Sequence, residues 1–278
     1  LDNWLEPHIK DELKEYYIRF DYLIKSSDKE KIQKMEEFKE ALNKYFIEKH
    51  VGRDLLIDST KDITIGNIIP EFRKTVNEIF DSIWNNSNKD NNIKGLLGET
   101  IATWLCETFD ASPIYFLPLK RGNSSEQGPD RWELRNESGD KVILRIWSSK
   151  CTTDRPSSRA DEVRNNDFSN IEVHGILQQL SDIAEHNKYS FIDKERIKEI
   201  KLSTVKKDSL LSFGVVMTFD LDIYNKMYKD NSGRPLNLFT AQPYAENAEK
   251  IVRFVPVSDL DNYIKQFEIS TNNILGRE

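Results

Sequence analysis

Asp130, Ser148 and Lys150 are the residues of this chain whose types and spacing offer chemistry, and they flank a hairpin pattern. Arg131 to Arg135 and Lys141 to Ser149 are rich in strand formers, and Asn136-Glu137-Ser138-Gly139-Asp140 between them favours a turn. With the turn centred near Gly139, Leu134 faces Leu144, Trp132 faces Ile146 and Asp130 faces Ser148. Directly opposed residues lie on one side of a sheet. Trp132, Leu134, Val142, Leu144 and Ile146 therefore share an apolar face, and a slip of one residue would scatter them over both. Period-two alternation extends this face to Asp130, Ser148 and Lys150 at the frayed end. A carboxylate and an ammonium converging there suit metal-assisted phosphodiester hydrolysis. Asp130 can hold a hard divalent cation, Mg2+ or Mn2+, together with water and phosphate oxygens. Lys150 can stabilise charge on the attacked phosphate or help activate the water. The same residues also fit a surface hairpin that merely ends in polar side chains, with Pro129 in a plain turn.

Composition narrows the classes. The 278 residues include 40 basic and 47 acidic side chains, a net charge of −7, with 38% hydrophobic and 31% charged residues. That is apolar enough for a buried core. No run approaches the ~18 apolar residues of a membrane span, and no leader pattern opens the chain, so a cytoplasmic setting is expected. Two cysteines and four scattered histidines argue against a disulfide framework and a zinc enzyme. Phosphate-binding glycine loops and the G-x-S-x-G elbow are absent.

Local charge is more informative than the total. Lys141, Arg145, Lys150, Arg155, Arg159 and Arg164 outnumber Asp154, Asp161 and Glu162, and a second basic stretch runs from Lys188 to Lys207. Such groups can contact phosphates, and they can equally be solvated faces. Arg155 and Arg159 follow the second strand closely, where readers of guanine edges can sit. His174 and Gln178-Gln179 read as helix-surface residues.

The positioning elements follow from periodicity. The first ~85 residues read as helical, from Leu13, Tyr16, Tyr17, Phe20, Leu23 and Ile24, then Ile32, Met35, Phe38, Leu42 and Phe46. Thr64 to Ile69 is expected to be extended, and Glu71 to Trp84 helical. The polar run from Asn85 to Asn92 marks a boundary, giving a helical N-terminal region (1–92) and a core (93–278). In the core, Gly95 to Phe109 reads as a helix, Ile114 to Leu117 as a strand, then come the hairpin and a helix from Ile171 to Glu185. Strands at Leu211 to Phe219 and Ile251 to Val257 precede a last helix capped by Ser258. The expected class is α/β, a mixed sheet flanked by helices.

At Gly98-Glu99, Pro129-Asp130 and Ser148-Ser149-Lys150 the sequence resembles the PD-(D/E)xK nuclease superfamily, over roughly Lys94 to Val257. The superfamily has an acid at the start of one strand and acid-x-Lys at the end of the next, after a helix that often carries a Glu. The resemblance implies a restriction-endonuclease-like fold and a Mg2+-dependent (or Mn2+-dependent) DNA endonuclease. Asp130, Glu99 and Glu162 would be its metal ligands, and Lys150 and Ser148 would belong to the catalytic group. The departure is Ser148, where the family has an acid. Ser-x-Lys restriction enzymes cutting around CCGG supply the missing Glu about a dozen residues later, which points to Glu162. Restriction enzymes and the nuclease subunit of Hachiman-type anti-phage systems, which works with a helicase, are both similar. DNA, a helicase partner and a homo-oligomer are the implied partners. Two other readings remain at this point: the same fold as a non-catalytic module binding nucleic acid or a protein, and a helical interaction protein in which the hairpin is incidental.

Overall fold

The computed structural model describes residues 6–10, 15–19, 28–85, 88–109, 115–116, 130–136, 142–154, 159, 162–163, 178, 181, 194–206, 210–223, 226 and 249–277. Its strands are β1 (Glu6–Lys10), β2 (Glu15–Arg19), β3 (Tyr115–Phe116), β4 (Arg131–Asn136), β5 (Val142–Thr152), β6 (Leu211–Asp220) and β7 (Glu249–Val257). Its longer helices are α1 (Asp28–Val51), α2 (Pro70–Trp84), α3 (Lys89–Phe109), α4 (Lys194–Lys206) and α5 (Leu260–Leu275). The strands form one mixed sheet in the order β1-β2-β7-β6-β5-β4-β3. β3, β4 and β5 are an antiparallel meander, and β6 and β7 continue parallel to β5. The mixed α/β class holds.

β6 shows why the sheet needs cover on both faces. Leu211 to Phe219 is buried without interruption, the near-continuous pattern of a strand enclosed from both sides. On one face α1, α2, α3 and α5 share an apolar cluster with Trp147, Cys151, Val216, Val255 and Val257 of the sheet. Phe46 lies at its centre, 5.0 Å from the Phe267 ring and 6.1 Å from Phe80. Gly98 lets α3 approach β5, since a Cβ there would stand 3.3 Å from Cys151 Cβ and backbone N. The other face buries Trp132, Leu134, Leu144, Ile146, Phe213, Val215 and Met217, and α4, with Ile197 and Ile200 buried, packs on β5 and β6.

The N-terminal expectations need correction. Tyr16 and Tyr17, expected in a helix, lie in β2, which pairs antiparallel with β1 and parallel with β7 through Glu15↔Val252 and Tyr17↔Phe254. Glu15-Tyr-Tyr-Ile-Arg is rich in strand formers, and a partner more than two hundred positions away outweighs local spacing. The boundary after residue 92 falls inside α3 rather than in a linker. There Asn92 Nδ2 donates to the Ile83 carbonyl at 3.1 Å and ties the first turn of α3 to the last turn of α2. Thr64 to Ile69, expected extended, contains a 3-10 turn at Ile65–Asn67. The helix expected from Ile171 to Glu185, with His174, lies almost wholly outside the described residues.

Ser258 does not cap the last helix. Asp259, in a left-handed conformation at φ 52°, precedes α5 and makes no side-chain cap bond. The capping oxygen comes from Asp220 at the end of β6, whose Oδ2 accepts from Leu260 N–H at 3.1 Å while Oδ1 accepts from Asp222 N–H at 2.8 Å. Asp220→Ala is expected to cost about 1 kcal/mol, as lost caps do, and to lower Tm by about 2–4 °C in a thermal melt. An unchanged Tm would make this cap dispensable.

Candidate functional site

The hairpin forms in the expected register: Trp132 pairs with Ile146 and Leu134 with Leu144. At its open end the alternation breaks. Arg131 pairs with Trp147, yet the N–H of Asp130 also donates to the Trp147 carbonyl, at 2.9 Å. Two residues of one strand thus address a single residue of the other, the arrangement of a β-bulge, which turns consecutive side chains toward one face. Asp130 is carried away from the side of Ser148 and toward that of Ser149. Its Oδ2 accepts two hydrogen bonds from Ser149, from the backbone N–H at 2.5 Å and from Oγ at 3.0 Å.

The expected convergence of Asp130, Ser148 and Lys150 on one face is therefore corrected. Asp130 lines a cavity of about 10 Å³ together with Glu99, Ala102, Thr103, Cys106, Arg131, Trp147 and Ser149. Glu99 comes from α3 and is 7% exposed. The turn at Asp130 and the close seating of α3 at Gly98 bring these two acidic residues to the wall of one cavity, whose accessible surface is almost wholly apolar. Ser148 is fully buried among its strand neighbours. Lys150, two residues further along β5, reaches Glu162 Oε1 at 3.3 Å, and Arg159 Nη1 binds Glu162 Oε2 at 2.7 Å. Burial pushes the Glu162 carboxyl up, but the Arg159 hydrogen bond and the Lys150 charge outweigh it and hold it below the usual carboxylate range. The expected residues thus form two groups: Glu99 and Asp130 at the cavity, and Lys150, Arg159 and Glu162 joined by ion pairs. Arg155 lies outside the described residues.

Beside the cavity lies a buried polar network that periodicity did not single out. Arg131, Glu133 and Arg135 alternate along β4 with Trp132 and Leu134, so they share the opposite face. Glu133 is fully buried. It accepts Trp147 Nε1–H at 3.1 Å and Arg135 Nη1–H at 3.0 Å, with Arg131 Nη2 3.4 Å away. Arg145 Nε donates to Ser212 Oγ at 3.0 Å. The guanidinium carbons of Arg253 and Arg145 stand 5.0 and 5.7 Å from the Trp147 ring centre. Trp147 has room because β6 carries Gly214 opposite it; a Cβ there would fall 2.1 Å from the ring. Arg145, counted from sequence among the phosphate-contacting charges, is instead 5% exposed within this network. The signal was present in Arg-x-Glu-x-Arg on a strand whose other face is apolar: covered on both sides, its charges must pair.

The donors at the cavity suit a hard cation. Glu99 and Asp130 offer carboxylate oxygens, and Mg2+ is commonly held by one or two carboxylates with water and substrate phosphate completing the shell. Among the described residues no three His, Cys, Asp or Glu side chains assemble into a ligand set. Cys151, on the adjoining turn of packing, has its thiol pushed up to about 12 by burial and is inert. No family model and no curated protein matches the chain. Among the described residues no helix is long and apolar enough to cross a membrane.

Proposed function

We propose that this protein is a divalent-metal-dependent endonuclease of the restriction-endonuclease-like kind, acting on DNA. The observation that carries the reading is that two acidic residues, Glu99 from α3 and Asp130 just before β4, line one cavity beside the hairpin. The surrounding order supports it: helix α3, the β3-β4-β5 meander, helix α4 and parallel strand β6 follow the order that the resemblance implies. Glu99 and Asp130 would hold Mg2+ or Mn2+, which when bound supplies Lewis-acid polarisation of a phosphodiester. The chain's own residues orient the ligands: Ser149 fixes Asp130, and α3 fixes Glu99. Lys150 and Arg159 offer positive charge to the phosphate backbone once Glu162 releases them. A role in restriction or anti-phage defence, with a helicase subunit or a second copy as partner, belongs to the same proposal.

A second reading keeps the fold and removes the chemistry. Ser148 occupies the family's acid position and is fully buried, and Lys150 is engaged by Glu162. A module of this kind would bind nucleic acid or a protein without cutting. The assay that separates the two is incubation of the purified chain with plasmid and linear DNA in Mg2+ or Mn2+. Cleavage that excess EDTA stops is expected. DNA retention without cleavage under all conditions would favour the second reading, and EDTA-resistant cleavage would remove the metal mechanism.

Glu162 decides whether the missing acid has been relocated. With the cation held at Glu99 and Asp130, Glu162→Ala is expected to leave Mn2+ affinity within about twofold of wild type, well inside the roughly tenfold that loss of a ligand's supporting contact costs. Calorimetric titration measures it. A large loss of Mn2+ binding would make Glu162 the second ligand and demote Glu99.

A further inference from the structure

The Asp130 carboxylate takes two donors from a single residue, Ser149. The backbone N–H and the Oγ of Ser149 both bind Oδ2, at 2.5 and 3.0 Å. Ser149 itself is buried at 8% exposure and lines the same cavity as Glu99 and Asp130. We infer that Ser149 is a positioning residue for metal uptake: it fixes the Asp130 carboxylate on the Glu99 side of the sheet. This rests on the metal-binding reading of Glu99 and Asp130.

The physical need comes from the bulge. Asp130 lies one residue before β4, outside its regular pairing. A free aspartate rotates about χ1 and χ2, and alternation would place it beside Ser148 instead. Two bonds to one oxygen remove that freedom, because a single acceptor cannot keep both donors after rotating. Bonds to a charged acceptor are stronger than neutral ones, and supporting contacts of this type orient a metal ligand before the cation arrives. Serine is suited to the position because it supplies both donors within a strand-sized side chain. It also separates two tasks in Ser148-Ser149-Lys150: the first serine packs inside the sheet, the second addresses Asp130.

The test uses the full chain with Mn2+ as the probe, its affinity read by calorimetry and by the paramagnetic signal of free Mn2+, with Tm as a folding control. Ser149→Ala removes one of the two donors and keeps the backbone one. Its Mn2+ affinity is expected to fall roughly tenfold, the lower end for loss of a supporting contact, at near-wild-type Tm. Ser149→Thr keeps the hydroxyl and is expected to restore most of the affinity, which a purely steric role would not predict. Asp130→Asn marks the loss of the ligand itself. Wild-type affinity in Ser149→Ala beside a lost signal in Asp130→Asn overturns the positioning role and leaves the metal reading standing. Equal losses in the Ala and Thr variants also overturn it. A wild-type chain that takes up no Mn2+ overturns the metal reading and this role with it.

Discussion

Asp130→Ala is expected to lower Mg2+-dependent DNA cleavage by at least about 10²–10³-fold, the several kcal/mol of transition-state stabilisation that a displaced metal ion withdraws. The fold should survive. Asp130 lies just before β4, half-buried, and the register from Arg131 to Asn136 does not depend on its side chain. Two hydrogen bonds to its carboxylate come from Ser149, which keeps its backbone place in β5 without them. A steady-state cleavage assay beside a thermal melt reads both quantities. Near-wild-type cleavage would remove Asp130 from the site. A large fall in Tm together with lost cleavage would make its role structural.

Glu133→Ala is expected to act the other way, on stability. Glu133 is enclosed, and its carboxylate receives Trp147 Nε1–H and Arg135 Nη1–H with Arg131 close by. Removing one member of a buried charged group leaves the others desolvated, at a cost of about 3–5 kcal/mol. For a domain with about 5–15 kcal/mol of total stability this is a large fraction, and the Tm should fall by about 10 °C. Glu133→Gln keeps the acceptor oxygen for Trp147 but not the charge, and is expected to recover only part of the loss. An unchanged melt for Glu133→Ala would mean that the guanidinium groups are satisfied without it.

Sequence legibility divides along the line between local and non-local causes. The hairpin register was readable because five apolar residues demand one face, and a slip would expose them. Strand β6 was readable because a strand enclosed on both faces is near-continuously apolar, and β7 because Ile251-Val252 and Phe254-Val255 flank a single charged residue, Arg253. The side of the sheet on which Asp130 lies was not, because one added hydrogen bond to the Trp147 carbonyl decides it and no residue type announces a bulge. Ser149 was quoted only as the middle of a motif, since its role depends on that bulge. Tyr16 and Tyr17 were misread because helical spacing and strand propensity coincide there, and the deciding partner, β7, lies near the other end of the chain. The last residues of the Asn-rich run, from Lys89 on, belong to α3, and Asn92 holds that helix to the Ile83 carbonyl, a contact that composition does not distinguish from a linker.

The measurement that bears most directly on the account is the position of Mn2+ in crystals of the protein, located by its anomalous scattering. One strong peak is expected at the cavity between α3 and the start of β4, within coordination distance of both the Glu99 and Asp130 carboxylates and lost in Asp130→Asn crystals. A peak at Glu162 and Lys150 with Glu99 and Asp130 untouched, or no peak at millimolar Mn2+, would contradict it.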